Sequence, residues 1–200
     1  MSRVLLLSGG LDSAAVAALE RPEHCLFLDY GQLPATAEHR AARQVAADLG
    51  LAFSALTVPL STLGSGLMAG NGDATNPAGT SPEWWPYRNQ LLITVAAAWG
   101  VLRSFDCVLI GTVNSDSARH ADGTSEFVAV MDNLLSLQEG ALRLRAPAAR
   151  MDSAELVSAA GLPDAVIGWT HSCHRANLPC ANCPGCRKHT EVLRKIGWLH

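Results

Sequence analysis

Val4-Leu5-Leu6-Leu7-Ser8-Gly9-Gly10-Leu11-Asp12-Ser13-Ala14 is the stretch that decides the fold. A short apolar run ends in Ser-Gly-Gly, and small helix-forming residues follow directly. This order predicts a buried strand, a tight glycine turn and then a helix. Glycines bring backbone N–H groups close to a ligand, and a helix N-terminus adds free donors and partial positive charge, so the turn suits a phosphate. The alternative is a plain strand-to-helix turn capped by Asp12 or Ser13.

The turn lacks the lysine of a Walker loop and the third glycine of a dinucleotide fingerprint. The six residues from Ser8 to Ser13 instead resemble the PP-loop of the ATP pyrophosphatases. Those enzymes cleave ATP to AMP and pyrophosphate while adenylating a substrate oxygen. The resemblance implies a catalytic role for Ser8, Asp12 and Ser13, a Mg²⁺ ion beside the leaving pyrophosphate, and an ATP-binding set of Leu7, Ser8, Gly9, Gly10, Leu11, Asp12 and Ser13.

Composition points to a compact protein of domain size. The chain has 200 residues, of which 48% are hydrophobic and 16% are charged, and its net charge is −3. Such a balance favours a sizeable core and gives no reason to expect nucleic acid as a partner. We see no leader segment and no apolar run of membrane-spanning length, so we expect a cytoplasmic protein. In that compartment six cysteines argue against a disulfide framework.

Strands and helices alternate along the chain. Residues 25–30 and 53–58 read as strands with a helix over 35–49 between them, and 106–111 and 142–147 add two more strands. Alternation at this spacing predicts an α/β fold in which a parallel sheet carries helices on both faces. Ligands then gather beyond the carboxyl ends of the strands, where Tyr30 and Gln32 lie.

Further segments are similar to the 7-cyano-7-deazaguanine synthases (QueC), a family within the PP-loop class with the adenine nucleotide alpha hydrolase-like fold. They include Asp29-Tyr30-Gly31-Gln32, with Glu38 following, and Pro86-Tyr87-Arg88-Asn89 at the start of a helix over 90–101. The resemblance implies that Tyr30 and Gln32 bind the substrate, that Arg88 is catalytic and that Asn89 binds ATP. On spacing alone, Asp29 is equally well a turn residue, and Arg88 and Asn89 are a surface arginine and a helix cap.

The segment from Asp116 to Phe127 departs from that family. Its members carry Asp-x-x-x-Tyr-Pro-Asp-Cys-Arg-x-Glu-Phe here, and this chain keeps only the acids and the phenylalanine, with His120 in place of Tyr and Thr124 in place of Arg. The resemblance assigns Asp116, Asp122 and Glu126 to the donor edge of a guanine-like base. Alternatively, Asp122 and Glu126 only begin a helix. Another departure is Ser153, which stands where the family places a lysine.

Two tracts between these segments carry weaker signals. Residues 59–83 are rich in small and polar residues with few apolar anchors, which predicts either a lid over the ATP site or a mobile insertion. Trp84 and Trp85 then precede the helix, and Pro86 near its start fits the preference of proline for first-turn positions. Paired tryptophans usually belong to a core or an interface. Since family members are usually homodimers, an interface role for exposed Trp84 and Trp85 fits that state.

Cys173, Cys180, Cys183 and Cys186 form a C-x6-C-x2-C-x2-C set. Two C-x2-C steps make thiolates converge, and four thiolates describe a structural Zn²⁺ site with no open position. An iron–sulfur cluster is the runner-up, and nearby histidines (His171, His174, His189) leave a ligand exchange open. The same set resembles the zinc element of the QueC family. We therefore divide the chain into an ATP-binding domain over 1–168 and a zinc-binding element over 169–200 packed on it.

Together these resemblances imply an ATP-dependent ligase. Its substrate is 7-carboxy-7-deazaguanine, which is adenylated at the carboxylate and attacked by ammonia to give an amide and then the nitrile preQ0. A protein amine, such as an N-terminus, is the competing acceptor, as in diverged QueC-like enzymes of antiphage defence (CBASS) operons. A nucleotide-binding adaptor without catalysis is the alternative from another class. A tRNA-modifying enzyme is weaker still, because no basic surface is visible.

Overall fold

A computed structural model of the chain describes residues 1–71, 76–117 and 119–199. These residues form a five-stranded sheet in the order β3-β2-β1-β4-β5, and every neighbouring pair is parallel. The predicted parallel sheet is thus confirmed. Its strands are β1 (Arg3–Leu6), β2 (His24–Asp29), β3 (Ala52–Thr57), β4 (Cys107–Leu109) and β5 (Arg143–Arg145).

Helices connect the strands and cover both faces of the sheet. Short 3-10 turns occupy Ser61–Leu63 and Ala121–Gly123. The α-helices of the described ranges are α1 (Leu11–Glu20), α2 (Ala35–Asp48), α3 (Gly66–Ala69), α4 (Arg88–Val101), α5 (Asn114–Ser117), α6 (Ser125–Ser136), α7 (Ser153–Ala160), α8 (Asp164–Trp169) and α9 (Pro184–Lys195).

Alternation along β1 divides the core into two layers. Leu5 packs with α1, α2, α7, α8 and α9 on one face, whereas Val4 packs with α4 and α6 on the other. Neighbouring residues of a strand point to opposite faces of the sheet. Because helices cover both faces, both side chains are fully buried. Cys25 and Cys107 belong to the first layer, which confirms them as small buried core residues. None of the helices within the described ranges has the length and apolarity needed to cross a bilayer.

The tract over 59–83 is more ordered than its composition suggested. Apart from residues 72–75, which lie outside the described ranges, it contains a 3-10 turn and α3. Leu67 packs against the cysteine cluster, and Met68 packs with Tyr30 and Trp85. Two adjacent residues of α3 thus fix the tract to different parts of the core.

The tryptophan pair and the start of α4 also correct the sequence prediction. Trp85 is only 3% exposed and meets the Tyr30 ring edge-on, with centroids 5.0 Å apart, so it is a core residue and not an exposed one. Tyr87 in the left-handed conformation precedes α4, which begins at Arg88. Pro86 consequently lies before the helix and not in its first turn.

Gly9 offers a test of how tightly the phosphate loop is packed. Its φ is +81°, and an added Cβ would lie 2.5 Å from the backbone oxygen of Glu38 on α2. We expect Gly9→Ala to lower the free energy of unfolding by about 1–2 kcal/mol through φ alone, and by about 1–3 kcal/mol more through the clash. Gly50→Ala is the matched control, since Gly50 has φ +65° and nothing within 4 Å of the added atom. Equal losses in urea denaturation would contradict the packing.

Candidate active site

A cavity of about 320 Å³ lies beyond the carboxyl ends of β1, β2 and β4. This is where a doubly covered parallel sheet is expected to bind its ligands, and the volume suits a small organic substrate. The cavity wall includes most of the residues that the sequence singled out, namely Leu7, Ser8, Gly10, Leu11, Asp12, Ser13, Tyr30, Gln32, Arg88, Asn89 and Asp116. Gly9 instead faces α2.

The polar groups of the phosphate loop are hydrogen-bonded to one another, and the Ser13 hydroxyl donates to the Gly10 carbonyl oxygen at 3.0 Å. The Ser8 and Ser13 hydroxyl oxygens lie 3.0 Å apart, and the Gly10 N–H points to the Ser8 oxygen at 3.3 Å. Gly10 is the N-cap of α1 and supplies no side-chain cap, so the first N–H groups of the helix have no side-chain acceptor there. Free N–H groups and the helix dipole together suit a phosphate.

Lys188 of α9 is a cavity residue that sequence reasoning missed. Its ammonium nitrogen lies 2.9 Å from Asp12 Oδ2 and 3.0 Å from Asp116 Oδ1. Although burial alone lowers the pKa of Lys188, the two carboxylates outweigh it and hold the pKa above its usual value. Asp12 Oδ1 is buried without a hydrogen-bond partner among the described residues. The available signal was that Lys188 is one of only two lysines in the chain and follows the last cysteine by two residues.

Ser153 lines the same cavity as Lys188. It is the first residue of α7, where Asp152 and Glu155 form the predicted capping box. The Ser153 hydroxyl is buried and has no hydrogen-bond partner among the described residues. Ser153 of α7 and Lys188 of α9 therefore face the same cavity from two different helices.

Glu38 and Arg88 lie beside the residues that follow β2. Gln32 is almost fully buried, and its amide donates to Glu38 Oε2 at 2.8 Å, while Arg88 Nη1 lies 3.2 Å from the Met68 sulfur. Burial raises the pKa of Glu38 to about 7, against the lowering effects of the Gln32 hydrogen bond and the Arg88 charge. Tyr30 has its pKa raised by burial as well. These groups give the cavity a titrating carboxyl beside a buried guanidinium.

The Glu38 shift predicts a pH-dependent stability. Because the carboxyl binds its proton more tightly in the folded state, its contribution is present below pH 4.5 and is lost as the pH rises through 7. Glu38→Gln removes that loss, so the variant should gain about 2–3 kcal/mol of unfolding free energy over the wild type between pH 5 and pH 8. Urea denaturation of both proteins at the two pH values measures this gain. A difference that does not change with pH would contradict it.

Asp122, Thr124 and Glu126 have separate places. Asp122 Oδ2 accepts from the Asn89 N–H at 3.1 Å, and the Asn89 side chain donates to the Asp122 carbonyl oxygen at 2.8 Å. Thr124 caps α6 by accepting from the Phe127 N–H at 3.1 Å. Glu126 is exposed on α6 and lies outside the cavity wall, as does Asp122. The structure thus brings only Asp116 of the three predicted acids into the cavity, and Ala118 of this segment lies outside the described residues.

Glu83, Arg119 and His120 form a second charged group in the cavity wall that sequence reasoning missed. Glu83 Oε1 lies 2.5 Å from Arg119 Nη2 and 3.3 Å from His120 Nε2. Burial alone raises the pKa of Glu83, but the His120 hydrogen bond and nearby positive charge outweigh it and lower the pKa to about 2. Glu83 and Arg119 are 36 positions apart in the sequence, so no local sequence pattern indicates that they pair.

The four cysteines converge as predicted. Their Sγ atoms all lie within 4.8 Å of one another, and those of Cys180 and Cys186 are 3.9 Å apart. A tetrahedral ion with bonds of about 2.3 Å places sulfur atoms about 3.8 Å apart. Backbone N–H groups point at Cys180 and Cys183 sulfurs at 3.3–3.4 Å, and the pKa of Cys180 is lowered to about 6, first by the Asn182 N–H. This set can hold a single metal ion.

The cysteine element also contacts the phosphate loop. The His171 N–H donates to the Gly9 carbonyl oxygen at 2.8 Å. Cys183 is the N-cap of α9, the helix that carries Lys188, while Val192 of α9 packs in the main core. The residues over 169–199 therefore pack on the same body as the sheet.

The sheet order, the phosphate loop and the cysteine element together define an α/β protein with the PP-loop fold. Two solved structures share the fold: the U34-tRNA thiolase NcsA from Methanococcus maripaludis with its [4Fe-4S] cluster, and a predicted subunit of tRNA methyltransferase from Methanocaldococcus jannaschii. Their TM-scores are 0.51 and 0.52 at 13% identity. NcsA aligns with 100% of this chain, which covers 66% of NcsA, and the second alignment covers 98% and 90%.

The chain belongs to the QueC family. The family described as "Queuosine biosynthesis protein QueC" matches residues 2–197. Similar curated proteins include the 7-cyano-7-deazaguanine synthases of Thiobacillus denitrificans, 32% identical over 98% of this chain and 92% of the relative, and of Xanthomonas campestris, 31% identical over 97% and 93%.

Proposed function

We propose that this protein is an ATP-dependent carbon–nitrogen ligase which adenylates the carboxylate of 7-carboxy-7-deazaguanine and transfers the acyl group to an amine. Membership of the QueC family supports the general reaction. The observation that carries the proposal is one cavity in which the phosphate loop, Lys188 and Arg88 meet. Anion-binding donors, an ammonium group and a buried guanidinium are the groups that this chemistry needs.

The reaction has two activation steps. A carboxylate oxygen attacks the α-phosphorus of ATP. The bond between the α-phosphorus and the oxygen that bridges to the β-phosphorus breaks, and pyrophosphate leaves. Ammonia then attacks the acyl carbon, AMP leaves with the bridging oxygen, and a proton is lost to give the amide. A second ATP takes the amide oxygen in the same way, and loss of AMP and protons gives the nitrile.

The loop residues stabilise the leaving pyrophosphate. Ser8, Gly10 and Ser13 present hydroxyl and backbone donors, and charge that builds on the leaving group is best stabilised by donors already in place. Asp12 fits as a ligand of Mg²⁺, because its buried Oδ1 has no hydrogen-bond partner among the described residues and carboxylate oxygen suits this hard cation. Bound Mg²⁺ neutralises phosphate charge.

Lys188 supplies the positive charge that the family places at position 153. Its ammonium group sits between Asp12 and Asp116 and its side chain is 29% exposed, so it can turn to a phosphate oxygen. The Ser153 hydroxyl in the same wall makes no competing hydrogen bond. A single lysine at a different helix thus serves the α-phosphate during adenylation.

The cysteine set would hold a structural Zn²⁺ ion. Sulfur atoms 3.9 Å apart fit a tetrahedral single ion, whereas an iron–sulfur cluster, with one cysteine on each iron, spreads its sulfurs farther. Four thiolates leave no open position for catalysis. Through Cys183, the N-cap of α9, an ion bound there would fix the start of that helix and with it Lys188.

Acid-dependent release of pyrophosphate tests the proposal. Purified protein, ATP and Mg²⁺ should form AMP and pyrophosphate only after 7-carboxy-7-deazaguanine is added, and ammonia should convert the acid to the nitrile detected by mass. If the amide and nitrile are absent and a protein N-terminus gains the deazaguanine acyl group, the acceptor is a protein amine. If no acid causes the release of pyrophosphate, the proposal fails and a nucleotide-binding adaptor without catalysis is the alternative that remains.

A further inference from the structure

Glu83 is a buried carboxylate in the cavity wall with one unpaired oxygen. It is 3% exposed, and its Oε1 is taken by Arg119 and His120. Its Oε2 is buried and has no hydrogen-bond partner among the described residues. An ionised oxygen left without donors is costly, so such a group in a binding cavity points to a ligand that supplies the missing donors.

The charges around Glu83 select the kind of donor. Arg119 pairs with it directly, and the Arg88 guanidinium lies in the same wall. A cationic ammonium group would meet the repulsion of both guanidinium groups at this place. Neutral N–H donors of a ring amide and an exocyclic amine avoid that repulsion and still satisfy the carboxylate, and the guanidinium groups suit the carbonyl and carboxylate oxygens of the same molecule.

The three acids that the sequence assigned to base recognition either have other partners or lie outside the cavity wall. Asp116 is paired with Lys188, Asp122 accepts from the Asn89 N–H, and Glu126 is exposed outside the cavity wall. Glu83 and Glu38 are the remaining glutamates of the wall. Glu38 already accepts from the Gln32 amide, and burial favours its protonated form.

We infer that Glu83 Oε2 accepts hydrogen bonds from the ring N–H and exocyclic amine of the deazaguanine base, with Arg119 and His120 holding the carboxylate in position. This inference rests on the proposed function and adds the residue that selects the base. Carboxylates recognise paired N–H donors on a base edge in this way. Glu83 is thereby the specificity-determining residue of the cavity.

Substrate discrimination tests the inference. The probe pair is 7-carboxy-7-deazaguanine and the analogue that lacks the exocyclic amine, 7-carboxy-7-deazahypoxanthine, with kcat/KM for pyrophosphate release as the readout. We expect the wild type to prefer the first acid by about ten- to a hundredfold. In Glu83→Gln the preference should fall to within about threefold, because Arg119 holds the amide oxygen and turns the NH₂ group toward the donors of the base.

Further variants keep the test decisive. Glu83→Asp retains the charge that compensates Arg119 but withdraws the carboxylate by one methylene, so it should also lose the preference for 7-carboxy-7-deazaguanine. This variant serves as the test if Glu83→Gln fails to fold. Glu139→Gln, at an exposed position, should behave as the wild type. Any one of three results would overturn the inference. These are equal use of both acids by the wild type, a preference that both Glu83 variants retain, and a preference that Glu126→Gln loses while the Glu83 variants do not. If neither acid releases pyrophosphate from the wild type, the proposed function itself fails.

Discussion

Lys188→Met should lower acid-dependent pyrophosphate release by about a hundred- to a thousandfold, with little change in the KM for the acid. Removal of one group that stabilises charge in the transition state has an effect of this size. Lys188 follows Asp12 by 176 positions in the sequence, yet its ammonium nitrogen lies 2.9 Å from Asp12 Oδ2. Steady-state kinetics with 7-carboxy-7-deazaguanine measure the effect.

The matched control is Lys195→Met, since Lys195 lies on the same helix but pairs with Glu191 at the surface, away from the cavity. Thermal unfolding of both variants separates catalysis from folding. If Lys188 and position 153 serve the same phosphate, then Ser153→Lys in the Lys188→Met background should recover at least about tenfold of the lost rate. Full activity in Lys188→Met alone would contradict the role given to this lysine.

Cys180→Ser should lose the bound metal ion and at least about 4 kcal/mol of unfolding free energy. Loss of a structural metal belongs to the few single changes with effects this large. Pyrophosphate release should fall in parallel, because Cys183 caps α9 and the metal therefore fixes the helix that carries Lys188. Metal analysis of the purified variant, together with urea denaturation, gives both quantities.

Cys107→Ala is the control for this experiment. Cys107 is fully buried in the core beneath the sheet and is not one of the four converging cysteines, so its loss should cost only about 1 kcal/mol and leave one metal ion per chain. A Cys180→Ser protein that keeps its metal and its stability would show that the cysteine set is not a structural site.

Local sequence patterns were sufficient to predict the fold. The apolar run before Ser8, the glycine pair and the alanine-rich part of α1 lie within fifteen consecutive residues, 4–18, and each has a local physical reason to form its element. The capping box of Asp152 and Glu155 is likewise local. The four cysteines lie within fourteen consecutive residues, 173–186, a spacing that suits one metal site, and their Sγ atoms converge.

The candidate site was less predictable, because it depends on contacts between distant parts of the chain. Lys188 and Asp12 are 176 positions apart, and nothing near either residue announces the pair. Glu126 shows the reverse error: it matches a family motif, yet helix α6 turns it to the surface. A motif fixes which residues are present, whereas the packing of helices decides which of them face the cavity.

Transfer of carboxylate oxygen to AMP tests the central claim most directly. With 7-carboxy-7-deazaguanine labelled with ¹⁸O at both carboxylate oxygens, adenylation followed by attack of ammonia leaves one labelled oxygen on AMP. The second activation transfers the other, so two singly labelled AMP molecules should form for each nitrile. Unlabelled AMP, or ATP cleaved to ADP and phosphate, would contradict adenylation of the acid by this protein.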